Sequence, residues 1–305
     1  MKIYSNNEWD PLRAVVVGSA TNANWPINDT IYAQTAQTTT WTETPLPSGP
    51  VPEEIIEKAN EELDQLATVL YNLDIEVWRP DPIDFVGRDG MYNYCPRDRL
   101  LVAGDTVVDP AMMFPCREME IEELQFVCDS ADRVLRMPRN QGMILDAANV
   151  CRLGDDWLYL VSASGNLAAL DWLRQQFPDK NIEACNFYSG VHIDSTIVPL
   201  QEGLVLLNGT RVNENNLPEC LRKWDRIYLN EIVERDFYQY PYASKWIGMN
   251  ILVVRPGLVI VDRIQTLLIG ILQSRGIEVI PLELSHSRTL GGGFHCTTLD
   301  IHREN

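Results

Sequence analysis

The segment Asp98–Val108, DRLLVAGDTVV, is an acidic residue followed by two apolar runs on either side of a Gly104-Asp105 turn. Aliphatic and β-branched residues flanking a glycine turn predict a β-hairpin over Arg99–Val108. The same arrangement recurs at Val150–Val161, Ser195–Leu207 and Ile251–Val261. Helical patterning follows some of the hairpins, at Asn166–Phe177, Leu217–Trp224 and Ile264–Arg275. A short strand then follows each helix: Ile182–Phe187, Arg226–Leu229 and Ile277–Leu284. The longest helical stretch, Glu53–Leu73, carries Ile56, Ala59, Leu63, Leu66, Val69, Leu70 and Leu73 on one face and leads into a strand, Ile75–Arg79. Arg117–Ser130 has a weaker helical pattern. An Asp or Asn stands just before each hairpin: Asp98, Asn149, Asp194 and Asn250. A strand–strand–helix–strand unit recurring about every 50 residues implies a closed ring of similar modules. Each module would start its first strand at the centre, so these polar residues would line a common pocket. The plainer alternative is that Asp and Asn simply mark turns and strand ends.

Outside this pattern nothing divides the chain. The 305 residues are 45% hydrophobic, and no linker or low-complexity run interrupts them, so a single domain spanning 1–305 is expected. The Pro-rich stretch Pro45–Pro52 reads as a surface loop before a helix. The formal charge is −18, with 25 basic residues spread among 43 acidic ones, which does not supply a phosphate-binding surface and argues against nucleic acid as a partner. Such a charge favours cationic small molecules. Met1–Asp10 is polar, and the longest apolar run, Thr266–Leu272, is far short of a membrane span, so no membrane partner and a cytoplasmic location are expected. Seven cysteines at irregular spacing, with no C-x-x-C pair, read as free thiols. Six of them are expected to be small buried side chains.

The seventh, Cys296, ends the run Gly291-Gly292-Gly293-Phe294-His295-Cys296. Consecutive glycines permit close backbone approach to a ligand, and a cysteine there can sit at a pocket. A flexible turn into a final strand, Thr297–Ile301, explains the same residues equally well. Cysteine chemistry needs a thiolate, a proton carrier and a group that orients the carrier. Of the four histidines, His192 lies two residues from Asp194, and strand alternation would put both on one face. By the same alternation His295 would point away from Cys296, so it is expected to be structural, as are His286 and His302. His295, Cys296 and His302 lack zinc-ligand spacing, so no metal is expected.

Taken together, these segments resemble the L-arginine amidinotransferases, the group that includes glycine amidinotransferase and the inosamine-phosphate amidinotransferases of bacterial antibiotic pathways. The resemblance spans nearly the whole chain. It runs from Asn7-Glu8-Trp9-Asp10-Pro11-Leu12 and Val15-Val16-Val17-Gly18 through Pro96-Arg97-Asp98, Asp146-Ala147-Ala148-Asn149, His192-Ile193-Asp194 and Ser244-Lys245-Trp246 with Met249-Asn250, and ends at the triple-glycine motif. It implies the pentein fold, a five-bladed α/β propeller of ββαβ modules with pseudo-fivefold symmetry. By motif position it implies Cys296 as nucleophile, His192 as general acid and base, and Asp146 as the carboxylate orienting it. Asp98 and Asp194 would grip the guanidinium, Arg211 the substrate carboxylate, and Ser244 would contact substrate.

The implied activity is transfer of the amidino group of L-arginine to an amine acceptor, through an amidino-cysteine intermediate and with release of L-ornithine. It needs no cofactor, belongs to secondary metabolite biosynthesis in the bacterial relatives, and is compatible with a homodimer. Asn149 stands where vertebrate members have Asp. Ser189-Gly190-Val191 replaces the Asn-Pro-Met of glycine-using members, which puts glycine as acceptor in doubt, and little tail after Cys296 remains to cover the site. The competing readings are an arginine deiminase-like hydrolase of the same fold, a thiol protease and a catalytically silent binding protein.

Overall fold

A computed structural model describes residues 2–38, 46–188 and 190–304. Pro45 of the expected Pro45–Pro52 loop, Ser189 of the Ser189-Gly190-Val191 departure and Asn305 lie outside them. Five three-stranded sheets surround a common centre, and a two-stranded ribbon, Asn24–Trp25 with Gly49–Pro50, stands apart. In four of the sheets a hairpin is extended by a third, parallel strand: Leu101–Ala103, Thr106–Asp109 and Arg133–Arg136; Val150–Leu153, Asp156–Leu160 and Asn181–Cys185; Ile197–Gln201, Leu204–Asn208 and Asp225–Leu229; Leu252–Arg255, Leu258–Asp262 and Glu278–Leu282. Each hairpin reverses on a glycine of positive φ, Gly104, Gly154, Gly203 and Gly257, where a side chain would strain the backbone.

The fifth sheet is assembled from distant segments. Leu12–Val17 is central, pairing antiparallel with Thr298–Arg303 and parallel with Glu76–Trp78. The antiparallel partner that a hairpin supplies elsewhere is here supplied by the C-terminal strand, and this closes the ring. The helix Glu53–Asn72 bridges Leu12–Val17 to its parallel partner and buries Ile55, Ala59, Leu63, Leu66 and Leu70. These recur at three- and four-residue spacing, which makes one apolar stripe. Ile55, not Ile56, opens that stripe.

The other crossovers differ in regularity. Leu167–Gln176 is α-helical, with the Asn166 side chain accepting from the Ala169 amide at 3.0 Å as its cap, and Thr266–Ser274 is also α-helical. The helix expected over Leu217–Trp224 is only a 3₁₀ turn, Glu219–Leu221, because Pro218 fixes its start and too few residues remain before the strand at Asp225. Arg117–Ser130 likewise divides into a 3₁₀ stretch, Pro115–Leu124, and one short α-turn, Gln125–Asp129. Apolar side chains fill the gaps between neighbouring sheets: Val108, Trp157 and Leu170 belong to one buried cluster, and Leu160, Val205, Leu206, Leu229, Val259 and Leu268 to another. No described helix is long and apolar enough to cross a membrane.

Beneath the centre lies a buried ionic cluster. Asp300 accepts from Arg97 at 2.5 Å, Arg303 at 2.6 Å and Arg152 at 3.2 Å, and Arg152 donates to both oxygens of Glu8 at 2.8 and 3.0 Å. It joins the N-terminal segment through Glu8, the turn leading into Leu101–Ala103 through Arg97, the strand Val150–Leu153 through Arg152, and the closing strand through Asp300 and Arg303. Removing one member leaves uncompensated buried charge. Asp300→Ala is therefore expected to lower unfolding stability by about 3–5 kcal/mol in urea titration; a loss below about 1 kcal/mol would mean the cluster contributes little to ring closure.

Candidate active site

Asp98, Asn149, Asp194 and Asn250 each precede the innermost strand of a sheet and are buried at the centre. Cys296 precedes Thr298–Arg303 and occupies the fifth such place. The three glycines explain how the sulfur gets there. Gly291 takes φ of 80°, a Cβ on Gly292 would lie 2.4 Å from the Cys95 sulfur, and one on Gly293 would lie 2.7 Å from Asn250. The Cys296 amide then donates to the Asn250 Oδ1 at 2.9 Å, and its thiol lies 3.2 Å from the Asp194 Oδ2.

His192 and Asp194 do not sit on a strand. His192 is in the left-handed region, with φ of 60°, in an irregular segment that ends before Ile197–Gln201. A non-glycine residue in that conformation is uncommon and marks a special local demand. Here it turns the imidazole between two carboxylates: Nε2 lies 3.1 Å from the Asp146 Oδ2, and Nδ1 lies 3.5 Å from the Asp98 Oδ1. Asp146 is itself fixed, since its Oδ1 accepts from the Met113 amide at 2.9 Å. The second oxygen of Asp98 is held by Arg117 at 2.9 Å, and Arg117 also grips Glu120 at 2.8 and 2.9 Å.

Burial alone would depress the pKa of His192, but Asp98, Asp146 and Asp194 outweigh it and raise it to about 9. The imidazole is thus charged at neutral pH. Burial also works against ionisation of Asp194, yet hydrogen bonding and charge from His295 and His192 hold its pKa at about 2. The Cys296 thiol is pushed the other way: contact with the Cys95 thiol, burial and the Asp194 carboxylate all raise its pKa well above the usual value. The Cys296 thiol is therefore neutral beside the ionised Asp194 carboxylate.

Arg211 follows the strand Leu204–Asn208 and stacks over the Tyr188 ring, its guanidinium carbon 3.9 Å from the centroid. It donates to Thr196 at 2.8 Å and to Ser195 and Ser244 at 3.3 Å. Among the described residues no carboxylate pairs with it. Cys296, His192, Asp194, Arg211 and Ser244 line one cavity. Asp98 and Asp146 line a second, which shares Val191, His192, Tyr242 and Gly291 with the first. All seven residues singled out in the sequence thus face one two-chambered space.

Sequence reasoning passed over three neighbours. His295 was assigned an outward direction by strand alternation, but the strand starts only at Thr298, and His295 lies between Asp194 at 2.9 Å and Glu8 at 3.3 Å. Cys95 is buried as expected but also lies against Cys296, and Asn250 holds the Cys296 amide. Asn250 was legible as a member of the repeat; the other two had no separate signal.

No family model matches the sequence. Among curated proteins, inosamine-phosphate amidinotransferase 1 of Streptomyces griseus is 41% identical, covering 98% of this chain and 96% of that protein. The solved inosamine-phosphate amidinotransferase of Streptomyces griseus superposes with a TM-score of 0.93 at 39% identity over 99% of this chain and 97% of that one. A dimethylarginine dimethylaminohydrolase shares the fold alone, with a TM-score of 0.68 at 15% identity over 94% of this chain and 99% of that one. Full-length identity at this level, with five sheets closed around one buried site, makes the chain a member of the amidinotransferase family with the pentein fold.

Proposed function

We propose that the protein transfers the amidino group of L-arginine to an amine through a covalent intermediate on Cys296 and releases L-ornithine, as the name of its Streptomyces griseus relatives suggests. The observation that carries this reading is one cavity that holds a thiol, an imidazole, acids on two sides and a single cation without a carboxylate partner. A zwitterion with a flat cationic end complements that arrangement. Its guanidinium fits between Asp98 and Asp194 through charge-assisted hydrogen bonds. The Asp98 Oδ1 has no hydrogen-bond partner nearer than the histidine ring, so it is available for such a bond. The carboxylate end suits Arg211 and Ser244.

Bound arginine brings positive charge beside Cys296 and displaces the thiol from Asp194, so the thiol proton leaves to solvent. The thiolate attacks the guanidinium carbon, forming the S–C bond. His192, held at Nε2 by Asp146, passes its Nδ1 proton to the departing nitrogen as the C–N bond breaks, and ornithine leaves. An amidinium remains on sulfur and the imidazole is neutral. The acceptor amine then attacks the same carbon, His192 takes its proton, and the C–S bond breaks to return the thiolate. Arg211 favours free arginine over a bare guanidine or an arginine within a protein. A cyclitol amine is the acceptor class that the relatives' name suggests. Seven free cysteines suit a reducing compartment such as the cytoplasm.

Cys296→Ala is expected to abolish exchange of labelled ornithine into arginine, a loss of at least about a thousandfold. Normal exchange in that variant, or citrulline from arginine with no acceptor, would overturn the transferase reading. Arg211→Lys should raise KM for arginine by about ten- to a hundredfold with a smaller change in kcat, as initial rates would show. The charge on His192 also carries a stability signature. Its pKa rises from 6.5 to about 9 on folding, so its contribution is complete below pH 6.5 and is lost as pH climbs through about 9. The difference in unfolding free energy between the protein and its His192→Asn variant should therefore shrink across that window; a difference that stays flat would mean that the ring is neutral in the native state.

A further inference from the structure

The two chambers that meet at His192 have opposite chemistry. The first contains Arg211, a buried cation with no carboxylate partner among the described residues, beside Ser195 and Ser244. It is built for a carboxylate. The second also contains an arginine, Arg117, but that guanidinium is committed to Asp98 and to both oxygens of Glu120. Its other ionisable lining groups are Asp98, Asp146 and His192, and the imidazole is already flanked by both acids. An amino-acid carboxylate placed there would meet two acids and no cation free of a carboxylate partner. A neutral amine would meet those acids as acceptors and the imidazole that takes its proton as it attacks.

The remaining walls are aromatic and held in place. Tyr32 stacks near Tyr242 with ring centroids 6.2 Å apart and contacts its hydroxyl, and Phe114 meets the Tyr32 ring edge-on at 5.4 Å. Tyr240 meets the Tyr242 ring edge-on at 4.9 Å. Rigid rings with phenolic edges complement a ligand whose faces are C–H and whose rim is hydroxyl.

We propose that this aromatic chamber is the acceptor's seat. It takes the hydroxylated ring of an aminocyclitol or amino sugar, with the amine directed at His192 and any anionic substituent pointing out of the chamber. The inference builds on the amidinotransferase reading above. Donor and acceptor then reach the Cys296 carbon from different sides: arginine's amino-acid end lies toward Arg211, and the acceptor ring lies toward Phe114. In the second half-reaction the ring amine attacks the S-amidino carbon, its proton passes to His192, and the C–S bond breaks. No other reactant is needed.

The test separates the two half-reactions in the full-length protein. Phe114 lines only the second chamber. Phe114→Ala, and Phe114→Leu as a gentler change, should lower kcat/KM for inosamine phosphate at least about tenfold, while exchange of labelled ornithine into arginine stays within about twofold. Arg211→Lys should show the reverse pattern. Equal losses in both assays, or unchanged transfer in both Phe114 variants, would overturn the assignment. So would glycine or L-lysine serving as a better acceptor than inosamine phosphate for the unmodified protein. If the unmodified protein exchanged no ornithine, the activity itself, not the chamber, would be refuted.

Discussion

The antiparallel pairing of Leu12–Val17 with Thr298–Arg303 is the contact on which the rest of the molecule depends. Four sheets are local, each built from a hairpin and one crossover. The fifth exists only because these two segments, from opposite ends of the described chain, lie side by side. The pairing sets the position of Cys296, two residues ahead of the closing strand, and so brings the sulfur to the rim where Asp98, Asp194 and Asn250 already stand. Asp300, within that strand, anchors it from below through Arg97 and Arg152. Ring closure and placement of Cys296 are one event.

Electrostatics complete what geometry begins. The centre gathers Asp98, Asp146 and Asp194, and the Cys296 thiol beside them is held neutral by its surroundings. A site with this imbalance does not favour a free thiolate; in the mechanism we propose, the positive charge that makes the sulfur nucleophilic arrives with the substrate. The same imbalance charges His192, the state that the proposed first step needs to protonate a leaving nitrogen. On that proposal the acids act twice, as a receptor for a planar cation and as the cause of the imidazole's charge.

Much of this was legible in the residues, for identifiable reasons. The hairpins show because glycine turns between aliphatic runs have a strong local signature, and the Asp/Asn recurrence shows because each module places the same backbone position at the centre. The fifth module was not legible as a unit, since its strands lie at positions 12, 76 and 298 and no local pattern joins them. Local propensity also misjudged short crossovers: Leu217–Trp224 has helical spacing but not the length to form more than a 3₁₀ turn. The partnership of His192 with Asp146 and Asp98 depends on a positive-φ residue and on long-range contacts, neither of which periodicity can reveal. His295 was misdirected by assuming a strand where a turn exists.

Assembly of the fifth sheet from both ends has a consequence for biosynthesis. Synthesis proceeds from the N-terminus, and modules made of contiguous sequence can fold as they emerge. Four sheets meet that condition, but Leu12–Val17 has to wait for a strand made almost three hundred residues later. Until then Cys296 has neither the Asn250 side-chain oxygen at its amide nor His192, Asp194 and Arg211 sharing a cavity with it. A growing polypeptide carries no assembled pocket, which comes into being only when the closing strand is laid down.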